Sequence, residues 1–226
     1  MKSVLLSLFL FVGTFGVGAQ IYKVKNLSGT NVEPPNNSPG IGTATVTIAS
    51  NTMRVQATFS GLNGTTTAAH IHAATAVPGT GTAGVATSTP SFPGFPIGVT
   101  SGSYDMTYDM TQASSYNGSY LIANGGTAES AFSALKTALN DGRAYFNIHT
   151  TTNPGGEIRG FYSRQTYQNL SSMLTFSNLS EAISSAASGD IIQQISNAEE
   201  TAPIELPLGL IFVFPLPYTL AINTPP

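Results

Sequence analysis

A chain of 226 residues without a single cysteine offers no thiolate for a metal site, for nucleophilic catalysis or for a redox switch, and it is long enough to bury a core without disulfide staples. Eight Lys and Arg stand against eleven Asp and Glu, a net charge of −3; with no basic cluster among them, neither nucleic acid nor an anionic membrane surface is an expected partner. Only 8% of residues are charged, so solubility falls to Ser, Thr and Asn and to any glycans on the sequons at Asn26, Asn36, Asn63, Asn117, Asn169 and Asn178.

The chain opens with a basic Met1-Lys2, an apolar run over residues 5–17 and a small-residue site at Val17-Gly18-Ala19. That order of charge, length and cleavage signal reads as a signal peptide over residues 1–19, with a secreted mature chain beginning near Gln20. Residues 21–24 form the first predicted strand. Residues 42–48 form the second, with Ala44, Val46 and Ile48 on one face. The turn signal Ser50-Asn51 pairs it with a strand over 52–59, whose Met53, Val55, Ala57 and Phe59 face the core. Gly61-Leu62-Asn63-Gly64 then turns the chain into a strand over 66–73.

Residues 77–95, rich in Gly, Pro and Thr, lack periodicity and read as a long surface loop. A strand lies within 97–110, with Val99, Ser101, Ser103 and Asp105 on one side. The one clear helix of the domain runs over 127–139: Thr127 is its N-cap, Glu129 suits its first turn, Phe132, Leu135 and Leu139 form its stripe, and Asn140-Asp141-Gly142 ends it. A hairpin closes the domain, with strands over 143–150 and 157–163 around a turn at 151–156. The expectation is an all-β, Greek-key-like antiparallel β-sandwich with one inserted helix, spanning residues 20–164.

Residues 165–226 read as a less ordered Ser/Asn-rich extension, with a short amphipathic helix over 178–187. The apolar stretch 206–222 is interrupted by Pro207, Pro215 and Pro217, so it does not provide the roughly 20 uninterrupted residues of a membrane helix. The same prolines and the polar end at 223–226 weigh against a lipid-anchor signal. An apolar tail that packs on the domain or on a partner is the expectation.

All three histidines lie in two of the predicted strands. Alternation along a strand sends His70 and His72 to one face and Ile71 to the other, and it places Asn147 and His149 together on a face of the second strand. If the strands are neighbours, three imidazoles converge. Neutral imidazole is the commonest metal ligand, and three ring nitrogens can hold copper or zinc with one position left to water. Glu33, Asp105 and Glu157 are candidate oxygen ligands. The other reading is a buried polar cluster, in which His70 and His149 bond each other, Asn147 or the backbone. Both remain open at the level of sequence.

Glu157 and Arg159 share a strand face and read as an ion pair, and Pro154-Gly155-Gly156 serves the hairpin turn. Glu33-Pro34-Pro35 reads as a stiff extended entry to the sandwich. Tyr104, Tyr108, Tyr116 and Tyr120 read as half-buried strand residues, with an adhesive or glycan-binding face as the alternative. No Gly-x-Ser-x-Gly elbow supports a serine nucleophile.

Leu27-Ser28-Gly29-Thr30-Asn31-Val32-Glu33-Pro34-Pro35, the Ala68-Ala69-His70-Ile71-His72 motif, and Asn147-Ile148-His149-Thr150 followed by Asn153-Pro154-Gly155-Gly156-Glu157-Ile158-Arg159-Gly160 together resemble the CHRD domain, the module first described in chordin. The resemblance covers residues 25–164. It implies an extracellular β-sandwich module with no well-defined activity. Ala73 stands where the family often has Gly, and chordin's cysteine-rich, growth-factor-binding modules have no counterpart, so growth-factor antagonism is not implied. The expected function is a secreted, non-enzymatic binding or matrix module, with an extracellular protein, polysaccharide or matrix as partner and His70, His72 and His149 as a possible metal site. The alternative is a copper- or zinc-dependent oxidoreductase, because the His-x-His strand is similar to the copper-ligand strand of copper/zinc superoxide dismutases.

Overall fold

The computed structural model describes residues 19–200, 209–214 and 220–222. The expected signal peptide lies outside them, apart from its last position, and so does most of the segment on which a lipid anchor would depend. The described chain packs as two compact units, one over Ile21–Arg164 and one beginning at Gln165.

In the first unit, alternation decides the faces. β2 (Ile41–Ala49) and β3 (Thr52–Ser60) pair antiparallel in register from Ile41 opposite Ser60 to Ala49 opposite Thr52. Ala44, Val46 and Ile48 of one strand and Met53, Val55, Ala57 and Phe59 of the other are buried, as the period-2 pattern requires. Ser50, at the turn, takes a φ of 52°. β1 (Gln20–Ser28) runs four residues beyond the predicted strand and buries Tyr22, Val24 and Leu27.

With β4 (Thr66–His72), β5 (Gly102–Asp109), β6 (Tyr145–Thr150), β7 (Ile158–Phe161) and the short β8 (Ser163–Arg164), these strands form one sheet in the order β4-β6-β7-β1-β2-β3-β5, with β8 pairing β1. The expected all-β, sandwich-like architecture with a small helical insert holds, and in this unit the antiparallel strands make one curled sheet. Thr66 donates to Val99 O and Gly98 donates to Thr66 O, tying the start of β4 to the segment that leads into β5. The inward faces of the strands share one apolar core with α2.

Two helices, not one, lie between β5 and β6. α1 (Gly118–Ala123) is capped by the Asn117 side chain, which accepts from the Ser119 and Tyr120 amides. α2 (Ala128–Asn140) starts at Thr127, whose hydroxyl oxygen accepts from the Ser130 amide, and it buries Ala131, Phe132, Leu135, Ala138 and Leu139. At its end, Arg143 donates to Ala138 O and Gly142 to Leu139 O, with Gly142 at a φ of 64°. This is a Schellman motif, and it uses the conformational freedom of glycine. Tyr104, Tyr116 and Tyr120 are buried, so these rings belong to the core and not to an adhesive face; Tyr116 and Tyr120 lie outside the strands, in the helical insert.

Where an irregular extension is expected, the chain from Gln165 makes a small unit of its own. β9 (Tyr167–Asn169), β10 (Thr175–Phe176), β11 (Ile191–Gln194) and β13 (Ile211–Val213) form a four-stranded sheet, and β12 (Ala198–Glu200) pairs parallel with β14 (Leu220–Ile222). α3 (Leu179–Ser184), capped by Asn178, contributes Leu179 and Ala182 to a core with Tyr167 and Ile192. Phe212 and Phe214 of the apolar tail pack on that core. Among the described residues no helix is long and apolar enough to cross a membrane.

Candidate metal centre

β4 and β6 are antiparallel neighbours, with His70 opposite Asn147, His72 opposite Tyr145 and Ala68 opposite His149. This register places His149 on the diagonal from His70, within reach of its ring. The ring centroids of His70 and His149 are 5.3 Å apart, those of His72 and His149 5.7 Å, and those of His70 and His72 5.9 Å. One nitrogen from each ring lies within 4.8 Å of the others, so the three histidines come together as alternation and neighbouring strands require.

The opposite nitrogen of each ring is committed to the backbone. His70 Nε2 lies 2.8 Å from Pro90 O, His72 Nδ1 2.9 Å from Ala83 O, and His149 Nδ1 2.8 Å from Pro154 O. A carbonyl oxygen only accepts, so each of these nitrogens carries the proton. The tautomers follow: the lone pairs sit on His70 Nδ1, His72 Nε2 and His149 Nε2. His70 Nδ1 and His72 Nε2 are buried and have no hydrogen-bond partner. The Asn147 side-chain amide lies 3.3 Å from His149 Nε2 and also donates to Gly155 O at 3.1 Å. The histidines do not hydrogen-bond one another.

Two of the three carbonyls come from the loop over 77–95. The same loop covers the free edge of β4: Ala73 donates to Gly84 O, Ala86 to Ile71 O and Phe92 to Ala69 O. Backbone carbonyls leave no trace in residue type, which is why this supporting shell is invisible to sequence reasoning. Tyr145, two residues before Asn147 on the same strand face, is also part of the surroundings. Its ring stacks on His72 at 4.8 Å and 9°, and its hydroxyl lies 3.2 Å from both the amide and the carbonyl of Ala83.

Burial, reinforced by the neighbouring His149, lowers His70 to about 4 against an opposing hydrogen bond to Pro90. Burial lowers His72 to about 4 as well, with the bond to Ala83 opposing and His149, His70 and Arg159 adding to the shift. His149 is lowered by burial, with the bond to Pro154 opposing. All three rings are therefore neutral near pH 7, the state a metal ligand requires.

The candidate oxygen ligands lie elsewhere. Asp105 is held by Arg54 on the exposed face of the sheet. Glu33 pairs with Arg159 at 3.2 Å. Glu157 is fully buried, and its carboxylate accepts from Ser38 Oγ and Thr150 Oγ1, both at 2.6 Å, and from the amides of Asn63 and Gly64. The expected Glu157–Arg159 pair does not form. Arg159 instead donates to Asn31 O and Gly81 O, and its guanidinium lies 4.7 Å from the centroid of the Tyr145 ring. Among the described residues, the ligating group consists of His70, His72 and His149, an arrangement that can hold one metal ion through three neutral nitrogens.

A search of curated proteins and of solved structures finds no match to the chain. The family model described as the CHRD domain matches residues 24–162, which takes in the second half of β1, β2 through β7, both helices between β5 and β6, and all three histidines. The chain thus belongs to the CHRD domain family.

Proposed function

We propose that this is a secreted, extracellular CHRD module that binds one copper or zinc ion through His70, His72 and His149. One observation carries the reading. Three backbone carbonyls fix three tautomers, which leaves the lone-pair nitrogens of His70 and His72 buried without a partner and that of His149 3.3 Å from the Asn147 side-chain amide. Buried polar atoms are seldom left unsatisfied. A purely structural cluster would bond both nitrogens of His70 and His72, as it does those of His149, whereas ligating histidines commonly donate their far N–H to a carbonyl in this way. The leader-like residues 1–19 support secretion. As a non-enzymatic module in this reading, it would present a polymer- or protein-binding surface in the matrix. A superoxide-dismutase-like oxidoreductase has no further support, because no fourth histidine or carboxylate joins the group among the described residues.

The test is metal retention by the full chain, purified without a histidine tag, beside His70→Ala/His72→Ala. After equilibration with copper or zinc and desalting, elemental mass spectrometry is expected to find about one equivalent in the wild type and none in the variant. At a metal concentration about 100 times Kd, binding adds about 2.7 kcal/mol, a rise of roughly 5–10 °C in Tm for a chain of this size. A wild type that retains neither metal and melts at the same temperature with and without them overturns the proposal.

A further inference from the structure

The six sequons are equivalent in sequence, and the fold separates them. We infer that Asn26 and Asn63 carry N-linked glycans and that Asn36 and Asn169 stay bare in the folded protein; the inference rests on the extracellular reading above. The reaction joins the side-chain nitrogen of asparagine to the anomeric carbon of an oligosaccharide delivered on a lipid diphosphate. The amide nitrogen gives up one proton and forms the new C–N bond. The sugar–oxygen bond breaks, and the lipid diphosphate leaves with the electron pair. A modified asparagine therefore keeps one N–H, and its nitrogen must face open space.

Asn26 and Asn63 meet both conditions. Asn26 sits in β1 with an exposed side chain that makes no hydrogen bond among the described residues. It borders an open cleft of about 630 Å³ that Thr30, Asn31 and Phe161 also line. Asn63 is exposed in the turn between β3 and β4. Only its backbone amide is engaged, with Glu157, and Thr65 supplies the hydroxyl of its sequon.

Asn36 and Asn169 fail them. Asn36 Nδ2 donates to Glu157 O at 3.0 Å and Gly156 O at 3.5 Å, and Asn36 Oδ1 accepts from the Ser38 amide. The hydroxyl of its sequon, Ser38 Oγ, is itself bound to Glu157. A sugar on Asn36 Nδ2 would displace the β6–β7 hairpin. Asn169 is 1% exposed, and its Nδ2 donates to Asp190 at 2.8 Å. Asn117 and Asn178 engage Oδ1 in capping α1 and α3 and stand outside the proposal.

The experiment expresses the full chain in a eukaryotic secretory host in two forms, one with its own first 19 residues and one with those residues replaced by a leader of proven function. Secreted, folded protein is treated with peptide N-glycosidase in heavy-oxygen water and mapped by peptide mass spectrometry. In the proven-leader form, label is expected at Asn26 and Asn63 and absent from Asn36 and Asn169. Asn26→Gln and Ser28→Ala should each remove the first glycan alone, and Asn63→Gln and Thr65→Ala the second. Bare Asn26 or Asn63, or label at Asn36 or Asn169, overturns the inference. Failure of the native-leader form alone to leave the cell counts against the extracellular reading and leaves the site assignment standing.

Discussion

Glu157 shows how much one side chain can fasten. Its carboxylate takes donors from the segment before β2, from the turn between β3 and β4, and from the end of β6, while its carbonyl holds Asn36. Burial alone would raise this carboxyl; the hydrogen bonds from Ser38, Thr150, Asn63 and Gly64 outweigh it and hold the group below the usual glutamate range. The unfolded chain, with a glutamate near 4.3, then binds its proton at a higher pH than the native protein does. The stabilisation from Glu157 is complete above that value and is lost as pH falls through the native one. Glu157→Gln turns one acceptor into a donor facing other donors and is expected to cost about 2–3 kcal/mol. In urea unfolding at pH 7 the midpoint should drop, and the gap from wild type should narrow as the pH is lowered below about 4. Equal midpoints at pH 7 would remove Glu157 from this role. Sequence placed Glu157 and Arg159 on one face, and that is correct. Several of their partners, such as Asn63 and Asn31, lie more than ninety residues away in the chain, and alternation carries no such information.

Among the elements, the hairpin of β6 and β7 sets the position of His149, and Gly156 sets the hairpin. Gly156 takes a φ of 135°, and a Cβ there would lie 2.3 Å from Asn147 Oδ1. Gly156→Ala combines a strained backbone with a collision beside the histidine cluster. Circular dichroism melts are expected to show a loss of at least about 1–2 kcal/mol, and metal titration a weakening of about tenfold or more. A variant that melts and binds as wild type does would show that the turn relaxes freely. The β2–β3 hairpin was fully legible because nothing but alternation and one turn defines it. α1 was not: six residues with one buried position, Tyr120, give no stripe, and its only signal is the Asn117 cap. The histidine cluster was legible to the extent that it depends on strand faces. Its tautomers were not, because backbone carbonyls from a loop of irregular sequence choose them.

At the scale of the molecule, each unit has its own core. The unit over Ile21–Arg164 includes all three histidines and the residues that orient them. A fragment of residues 20–164 is expected to fold cooperatively and to bind metal with the stoichiometry of the full chain. A fragment without a cooperative melt would show that the C-terminal unit is needed for the sheet to close. Closure was the part of the architecture that sequence could not supply, since the contact of β4 with the segment before β5 depends on the curl summed over seven strands.

The ring stack beside the centre has a further consequence. The chain has nine tyrosines and no tryptophan, so its absorption near 280 nm and its emission come almost entirely from phenol rings. One of those rings, Tyr145, lies face to face with His72. The protein therefore contains its own chromophore in contact with a candidate ligand ring, able to report occupancy of the proposed centre without any label.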